Sequence, residues 1–443
     1  MPYSNDHRGI GSNVLELSEE MSNGLDLFRQ IPIDTSTTYG KTIYHSMTNA
    51  HNPVGDNFIF NIYSEGHDYT YLPLTRLEGE FQITNTDNTA VGAADMVAPI
   101  NLLASTFFKQ VECELNGTQV ADLGCAAYHY KSFFEVHLTY GYDAKQTHLR
   151  AQLYHADTPG SEETYTAACT SFVKRKGWIT EHDGKIYFST PIHLDFFDSL
   201  RYLMPGVTMN LKFLRNTDAF CLLSPTATWK IKLNDLKMST RRISVHPDIL
   251  RSHKEILLKE PAIYPIANSK IQTITINQGI SQTCLPGVFR GKLPRSVIVG
   301  MVSSAAYIGA FGKNPFLFKD FGVSSFGMVV NGALVPSTVF QPDFANGKCM
   351  REYMHLMDNI GINHENESNM IDFETFKKNT ALFAFDFSHD LCHNYHRHND
   401  QSGYINIELQ FSAALAESIN VLIYGTFNET ITIDSNGKVV LLP

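Results

Sequence analysis

PINLLASTFFKQVECELNGTQVADLGCAAYHYKSFFEVHLTYG, residues 99–141, decides how the chain is read. Inside it, Val111-Glu112-Cys113-Glu114-Leu115 alternates, with the two glutamates on one side and Val, Cys and Leu on the other. That is the period of a half-buried strand. Asn116-Gly117 follows. Both central positions of a two-residue hairpin turn need positive φ, which makes Asn-Gly the strongest short-range hairpin signal. The return strand is expected from Thr118. Residues 101–107 read as a short helix before this hairpin, and a longer helix is expected over 125–140, with Gly141 as a left-handed stop.

The same plan recurs. Phe326-Gly327-Met328-Val329-Val330 alternates into Asn331-Gly332, and a helix-like run over 349–360 ends at Gly361. Further landmarks keep their order. Leu194-Asp195-Phe196 answers Phe385-Asp386-Phe387. Gly206 precedes Met209, Leu211 and Phe213 at alternate positions, as Gly403 precedes Ile405, Ile407, Leu409 and Phe411. One Asn-Gly pair is cheap, but three correspondences in register order imply two copies of one β-rich unit.

Composition agrees. A chain of 443 residues has room for two domains with cores of their own. Its 29 Phe and 20 Tyr favour β structure over disorder. The formal net charge of −10 argues against a polyanion binder. Seven scattered cysteines, none in a Cys-x-x-Cys pair, fit neither a disulfide framework nor a zinc ribbon. Folding in a reducing compartment is the expectation. There is no apolar run of 18 residues and no signal-peptide pattern at Met1. The sequons at Asn116, Asn366 and Asn428 are therefore read as chance.

In chain order, residues 1–44 read as an N-terminal arm. Up to Asp26 it carries five acids (Asp6, Glu16, Glu19, Glu20, Asp26) against Arg8 alone, the reverse of a nucleic-acid clamp. Residues 45–246 form the first unit, with strands expected at 57–63, 77–84, 185–189, 208–214 and 229–238 and helices at 144–155 and 162–174. A helical connector occupies 247–261, closed by Pro261 and Pro265. The second unit spans 262–428, with strands at 270–276, 295–302, 326–330, 381–387, 404–411 and 419–426. A hairpin through Asn436-Gly437 closes the chain over 429–443. Short strands at this spacing fit a mainly β fold, two tandem jelly-roll sandwiches with inserted helices.

Two strings sharpen this. One is P-x-N-x-L-x-S-x-F-x-x-V on Pro99, Asn101, Leu103, Ser105, Phe107 and Val111, followed by Leu115-Asn116-Gly117. The other is Y-G-x-x-A-K-x-T-x-L on Tyr140, Gly141, Ala144, Lys145, Thr147 and Leu149. With Phe28, Pro32, Thr35, Ser36 and the Asp157-Thr158-Pro159-Gly160 turn, they resemble the major capsid protein of Polinton/Maverick elements and related viruses such as adintoviruses. The resemblance covers roughly residues 28–160. It implies a double jelly roll and a structural role in an icosahedral virion. Three copies would form a pseudo-hexagonal homotrimeric capsomer, with a vertex (penton) capsid protein as partner and assembly inside the host cell.

Catalytic patterns fail. Gly309-Ala310-Phe311-Gly312-Lys313-Asn314 lacks both the glycine spacing and the Ser or Thr of a phosphate loop. Neither G-x-S-x-G nor H-E-x-x-H occurs. His389, Cys392, His393, His396 and His398, with Asp390 and Asp400, are the densest set of metal-capable groups. No second cluster completes them, and they are read as loop residues. Glu162-Glu163 and the Glu365/Glu367 pair are read as solvated faces. The expectation is a protein with no catalytic, cofactor or metal site and no sequence-specific nucleic-acid binding. A two-domain β-sandwich module recognising carbohydrate or a surface partner is the alternative.

Overall fold

The computed structural model describes residues 34–442 except 50, 51, 53, 54, 65, 122–125, 167, 168, 364, 365, 367, 389, 390 and 392–397. Besides a two-residue pairing of Ala98–Pro99 with Leu222–Leu223, eight described strands make the sheets of the first unit: β1 (Thr37–Ser46), β2 (Asn57–Ile62), β3 (Tyr69–Asn85), β4 (Phe108–Leu115), β5 (Thr118–Ala121), β6 (Lys185–Pro191), β7 (Met209–Arg215) and β8 (Trp229–Val245). They pair antiparallel into two sheets, ordered β1-β8-β3-β6 and β2-β7-β4-β5. The second unit contains β9 (Ala262–Ile276), β10 (Gln282–Lys292), β11 (Ser296–Ser303), β12 (Val323–Val330), β13 (Ala333–Phe340), β14 (Leu382–Asp386), β15 (Ser402–Phe411) and β16 (Ile419–Ile433). Their order is β9-β16-β11-β14 and β10-β15-β12-β13. Adding eight to every strand of the first unit reproduces the second. Each unit is a jelly roll, and the chain is a double one. A final strand, β17 (Val439–Leu442), extends β16 as a hairpin.

The two Asn-Gly turns sit at equivalent places, β4 to β5 and β12 to β13. Both have positive φ at both positions: 48° and 81° at Asn116 and Gly117, 50° and 84° at Asn331 and Gly332. The equivalence extends to hydrogen bonds. Asn116 Oδ1 accepts from Thr208 N at 2.8 Å, and Asn116 N donates back to Thr208 O at 2.9 Å. Asn331 does the same with Tyr404, at 3.0 and 3.1 Å. Each turn thereby clips onto the start of the strand that pairs beside it.

The alternation buries one face of each strand. In β2, Phe58, Phe60 and Ile62 are buried and the residues between them are not. Phe81, Phe107, Phe108 and Phe213 fill the same core, with Phe81 stacked on Phe188 at 4.4 Å. The second core has Phe326 stacked on Phe383 at 4.2 Å.

Several expectations are corrected. β1 begins at Thr37, inside the stretch read as arm, of which residues 1–33 lie outside the described residues. Its polar alternation hides a strand that pairs along its whole length with β8. Residues 144–155 are not one helix. A helix at Tyr142–Gln146 is broken at Thr147 (φ −116°, ψ −98°) and followed by a 3-10 turn at His148–Gln152. The helix expected over 162–174 runs instead from Thr170 to Thr180. Gly141 is extended (φ −77°), whereas Gly361 is left-handed (φ 80°). Asp195 and Asp386 are not equivalents, since Asp195 opens a 3-10 turn beyond β6 while Asp386 ends β14.

Candidate functional site at the seam between the two sandwiches

The loop from β5 to β6 carries the seam helix, Tyr128–Thr139, in which nine of twelve residues are buried. A surface helix buries one stripe, and one apolar on all sides lies between layers. Phe133 stacks on Phe316 with ring centres 4.3 Å apart and planes 2° from parallel. Tyr130 stacks on Tyr307 at 5.9 Å, and Phe134 packs on Phe318 and Tyr424. Tyr307, Phe316, Phe318 and Tyr424 all come from the second sandwich, so a helix of the first unit belongs to the second unit's core cluster. In return Tyr264, Ile266, Ile431, Ile433 and Val439 join the first unit's core.

Polar groups join the units in the same zone. Lys131, fully buried, pairs with Glu135 one turn on and with Asp195 Oδ1 at 3.1 Å. Asp195 accepts from Ser269 N and Oγ of β9 at 2.8 and 2.9 Å, and Ser269 Oγ lies 2.7 Å from Tyr424 OH. His193 Nδ1 meets Glu135 Oε2 at 2.8 Å. Lys145 Nζ donates to His137 O in the first unit and to Asn369 O in the second. At the far end, Asn116 Nδ2 donates to Gly437 O at 2.8 Å.

Electrostatics follow from burial. Desolvation raises Glu135, but the Lys131 charge and the His193 bond outweigh it and bring the carboxyl to about 2. Desolvation likewise opposes the Lys131 charge, yet Asp195 and Glu135 hold the ammonium well above its ordinary value. Asp195 and Asp198 lack equal compensation. Burial raises both, Asp198 to about 6. Burial pushes Lys145 down to about 7 and the His129 imidazole to about 3. His137 is held well below its ordinary range by burial and then by Lys145.

This arrangement fixes two bodies to each other rather than a reacting group. Among the described residues, no group of three or more His, Cys, Asp or Glu side chains is placed to hold a metal. Of the histidine-rich loop, 389, 390 and 392–397 lie outside the described residues; Asp400 pairs with Lys292 at 3.0 Å. Gly309 ends a short helix (Ser304–Ile308). Glu162 corrects its solvated reading: it is buried, and accepts from Gly160 N at 2.7 Å. Glu163 pairs with Lys313 at 3.4 Å, and residues 365 and 367 lie outside the described residues. The five described cysteines, 113, 169, 221, 284 and 349, are free thiols. No described helix is long and apolar enough to cross a membrane.

Comparison places this fold. No family model matches the chain. An uncharacterized protein of Caenorhabditis elegans is 27% identical over 343 residues, 74% of this chain and 79% of that protein. Among solved structures, a chain of the Sputnik virophage aligns with a TM-score of 0.63 at 12% identity, covering 95% of this chain and 92% of that one. The faustovirus major capsid protein gives 0.57 at 8% identity, covering 92% of each chain. The mavirus major capsid protein gives 0.54 at 10% identity, covering 95% and 93%. The protein therefore has the double-jelly-roll fold found in viral major capsid proteins, from end to end of the described chain.

Proposed function

We propose that the protein is a major capsid protein of a Polinton/Maverick-like element or a related virus. Three chains form a pseudo-hexagonal capsomer, and capsomers tile an icosahedral shell together with a vertex protein. One observation carries the reading: two sandwiches with the same strand order are locked side by side by a shared core. Three such two-part blocks approximate six-fold symmetry, which a hexagonal lattice position needs. The first unit of one chain then abuts the second unit of the next, a heterologous contact that closes at three. The role is structural, without catalysis, cofactor or sequence-specific nucleic-acid contact, and the product is assembled in the host cell and resides in the virion. On this reading the residues before β1 are an arm with protein contacts, 37–246 and 262–428 the two folding units, 247–261 their connector and 429–443 a closing hairpin.

The exposed side chains favour association. Tyr39, Tyr44, Tyr187 and Ile308 are more than half exposed in the single chain, and permanent interfaces are rich in such groups. Electron microscopy of the protein expressed alone and with a vertex protein tests the reading. Hexagonal capsomers or closed shells are expected. Dispersed single chains under all assembly conditions would contradict it.

A further inference from the structure

The seam buries two lysines and treats them differently. Lys131 faces Glu135 and Asp195. Lys145 is 4% exposed and, among the described residues, no carboxylate offsets its burial. Desolvation acts on it unopposed and brings it to about 7. About half of the amine is then uncharged at neutral pH. Its Nζ donates to two backbone carbonyls, His137 O at 2.7 Å and Asn369 O. An uncharged amine has two N–H donors and one lone pair, so the two carbonyls take both donors and the lone pair stays unshared. A desolvated lysine in that state is a nucleophile.

That amine lines a cavity of about 250 Å³ between the sandwiches. Phe133 of the first unit and Phe316 of the second give it apolar walls, and the half-buried Pro159, Met370 and Thr375 stand at its rim. Sites for small molecules favour such joints, with apolar walls and a few placed polar groups. Asn101 supplies one of these. It is 1% exposed, and its Oδ1 is committed to Leu102 N at 2.9 Å and His155 N at 3.0 Å, so its NH2 end is the donor for a guest. Charge narrows the choice of guest. Burial keeps His137 uncharged and the Tyr154 hydroxyl protonated. Asp157 is matched by Arg175 at 2.7 Å, and Asp372 is exposed at the rim. With Lys145 uncharged, the lining holds no spare positive charge for an anion, and an uncharged guest fits.

We propose that Lys145 is an acylation site, whose amine takes a small acyl group from an uncharged thioester that enters the seam cavity. The nitrogen lone pair bonds to the thioester carbonyl carbon, the carbon–sulfur bond breaks, and the proton lost from nitrogen leaves with the thiolate as a free thiol. The product keeps the hydrogen bonding of the site better than an aldehyde adduct does. An amide retains one N–H for His137 O or Asn369 O, whereas an imine retains none and strands both carbonyls. The acyl oxygen accepts from Asn101, and the amide carries no charge to be buried. The proposal goes beyond the capsid reading and stands or falls separately from it.

The test treats the full-length chain with S-acetyl-N-acetylcysteamine, an uncharged acetyl thioester, and follows acetyl-lysine peptides by mass spectrometry. At neutral pH, Lys145 is expected to be acetylated at least about ten-fold faster than the exposed Lys254, because an ordinary lysine is almost wholly protonated there. The Lys145 rate should level off above about pH 8, while the Lys254 rate climbs to about pH 10. Unmodified Lys145, a rate no higher than that of Lys254, or two rates rising in parallel to about pH 10 would overturn the proposal.

Discussion

The helix that follows the Asn-Gly hairpin has opposite fates in the two sandwiches. In the second unit it is Met350–Asn359, which buries Glu352, Leu356 and Met357 and leaves Met350 and Met354 exposed. It lies on its own sandwich, with His355 edge-on to Phe340 and Phe385. In the first unit the corresponding seam helix is enclosed on all sides and shared with the other sandwich. One topological position thus yields a one-sided surface helix or the joint of the molecule. What separates them is a few large rings and one buried ammonium.

The largest contrast is expected from removing a cation from each helix. Lys131→Met leaves Glu135, Asp195 and Asp198 without their buried counter-charge, and breaking a buried pair costs about 3–5 kcal/mol. Arg351→Met in the outer helix gives up a guanidinium that lies 4.8 Å from the Phe340 ring centre and donates, at the surface, to Thr338 O and Val339 O, a loss of about 1–2 kcal/mol. Urea unfolding of the two variants measures both. Equal losses would erase the distinction.

Acid is the next lever. His129 has a folded pKa of about 3 against an ordinary 6.5. Its contribution is complete above 6.5 and is lost as pH falls toward 3. At pH 5 that is about 2 kcal/mol, from 1.36 kcal/mol per pH unit. Burial lowers His137, His155 and His355 too, so they act in the same direction. Asp198, raised to about 6, opposes them and gains stability as pH drops below 6, by about 1.4 kcal/mol at pH 5. Asp195, Glu162 and Glu352, also raised by burial, act with Asp198. The His129 part is isolated by comparison: from pH 7 to pH 5 the stability of the parent chain should fall by about 2 kcal/mol relative to that of His129→Phe. An identical pH dependence of the two urea midpoints would refute the assignment of a neutral buried imidazole.

A double-mutant cycle on Phe133 and Phe316 sharpens the seam itself. Each truncation to Ala costs about 3–5 kcal/mol, and their coupling should reach about 1 kcal/mol because the rings stack. Additive losses would mean that the rings are not in contact. The smallest effect belongs to the turns. Asn116→Ala and Asn331→Ala each remove a side-chain bond to the neighbouring strand, worth about 1 kcal/mol. Each also loses an Nδ2 donation, Asn116 to Gly437 O at 2.8 Å and Asn331 to Ser402 O at 3.3 Å, so Asn116→Ala should cost slightly more for its shorter bond. A reversed order would place the C-terminal hairpin away from the first turn.

Much of the fold was legible because hairpins are local. Val111 to Leu115 and Asn116-Gly117 carry alternation and turn together, and so do Phe326 to Val330 and Asn331-Gly332. β1 was missed because an edge strand of Thr, Tyr, Lys and His shows no clear apolar face. β10 was missed because Pro286 and Gly287 interrupt its pattern at a bulge. The seam was hardly legible. The Lys131–Glu135 spacing reads as an ordinary surface pair, and its other partners, Asp195, His193 and Ser269, come from distant segments. Only the fold brings them together.

Mass in solution bears most directly on the central claim. Light scattering of the purified protein at micromolar concentration should give about 150 kDa, three times the 49.8 kDa chain, and no dissociation on dilution, as an interface above about 2,000 Å² implies. A stable single-chain mass would contradict the capsomer and favour a two-sandwich binding protein.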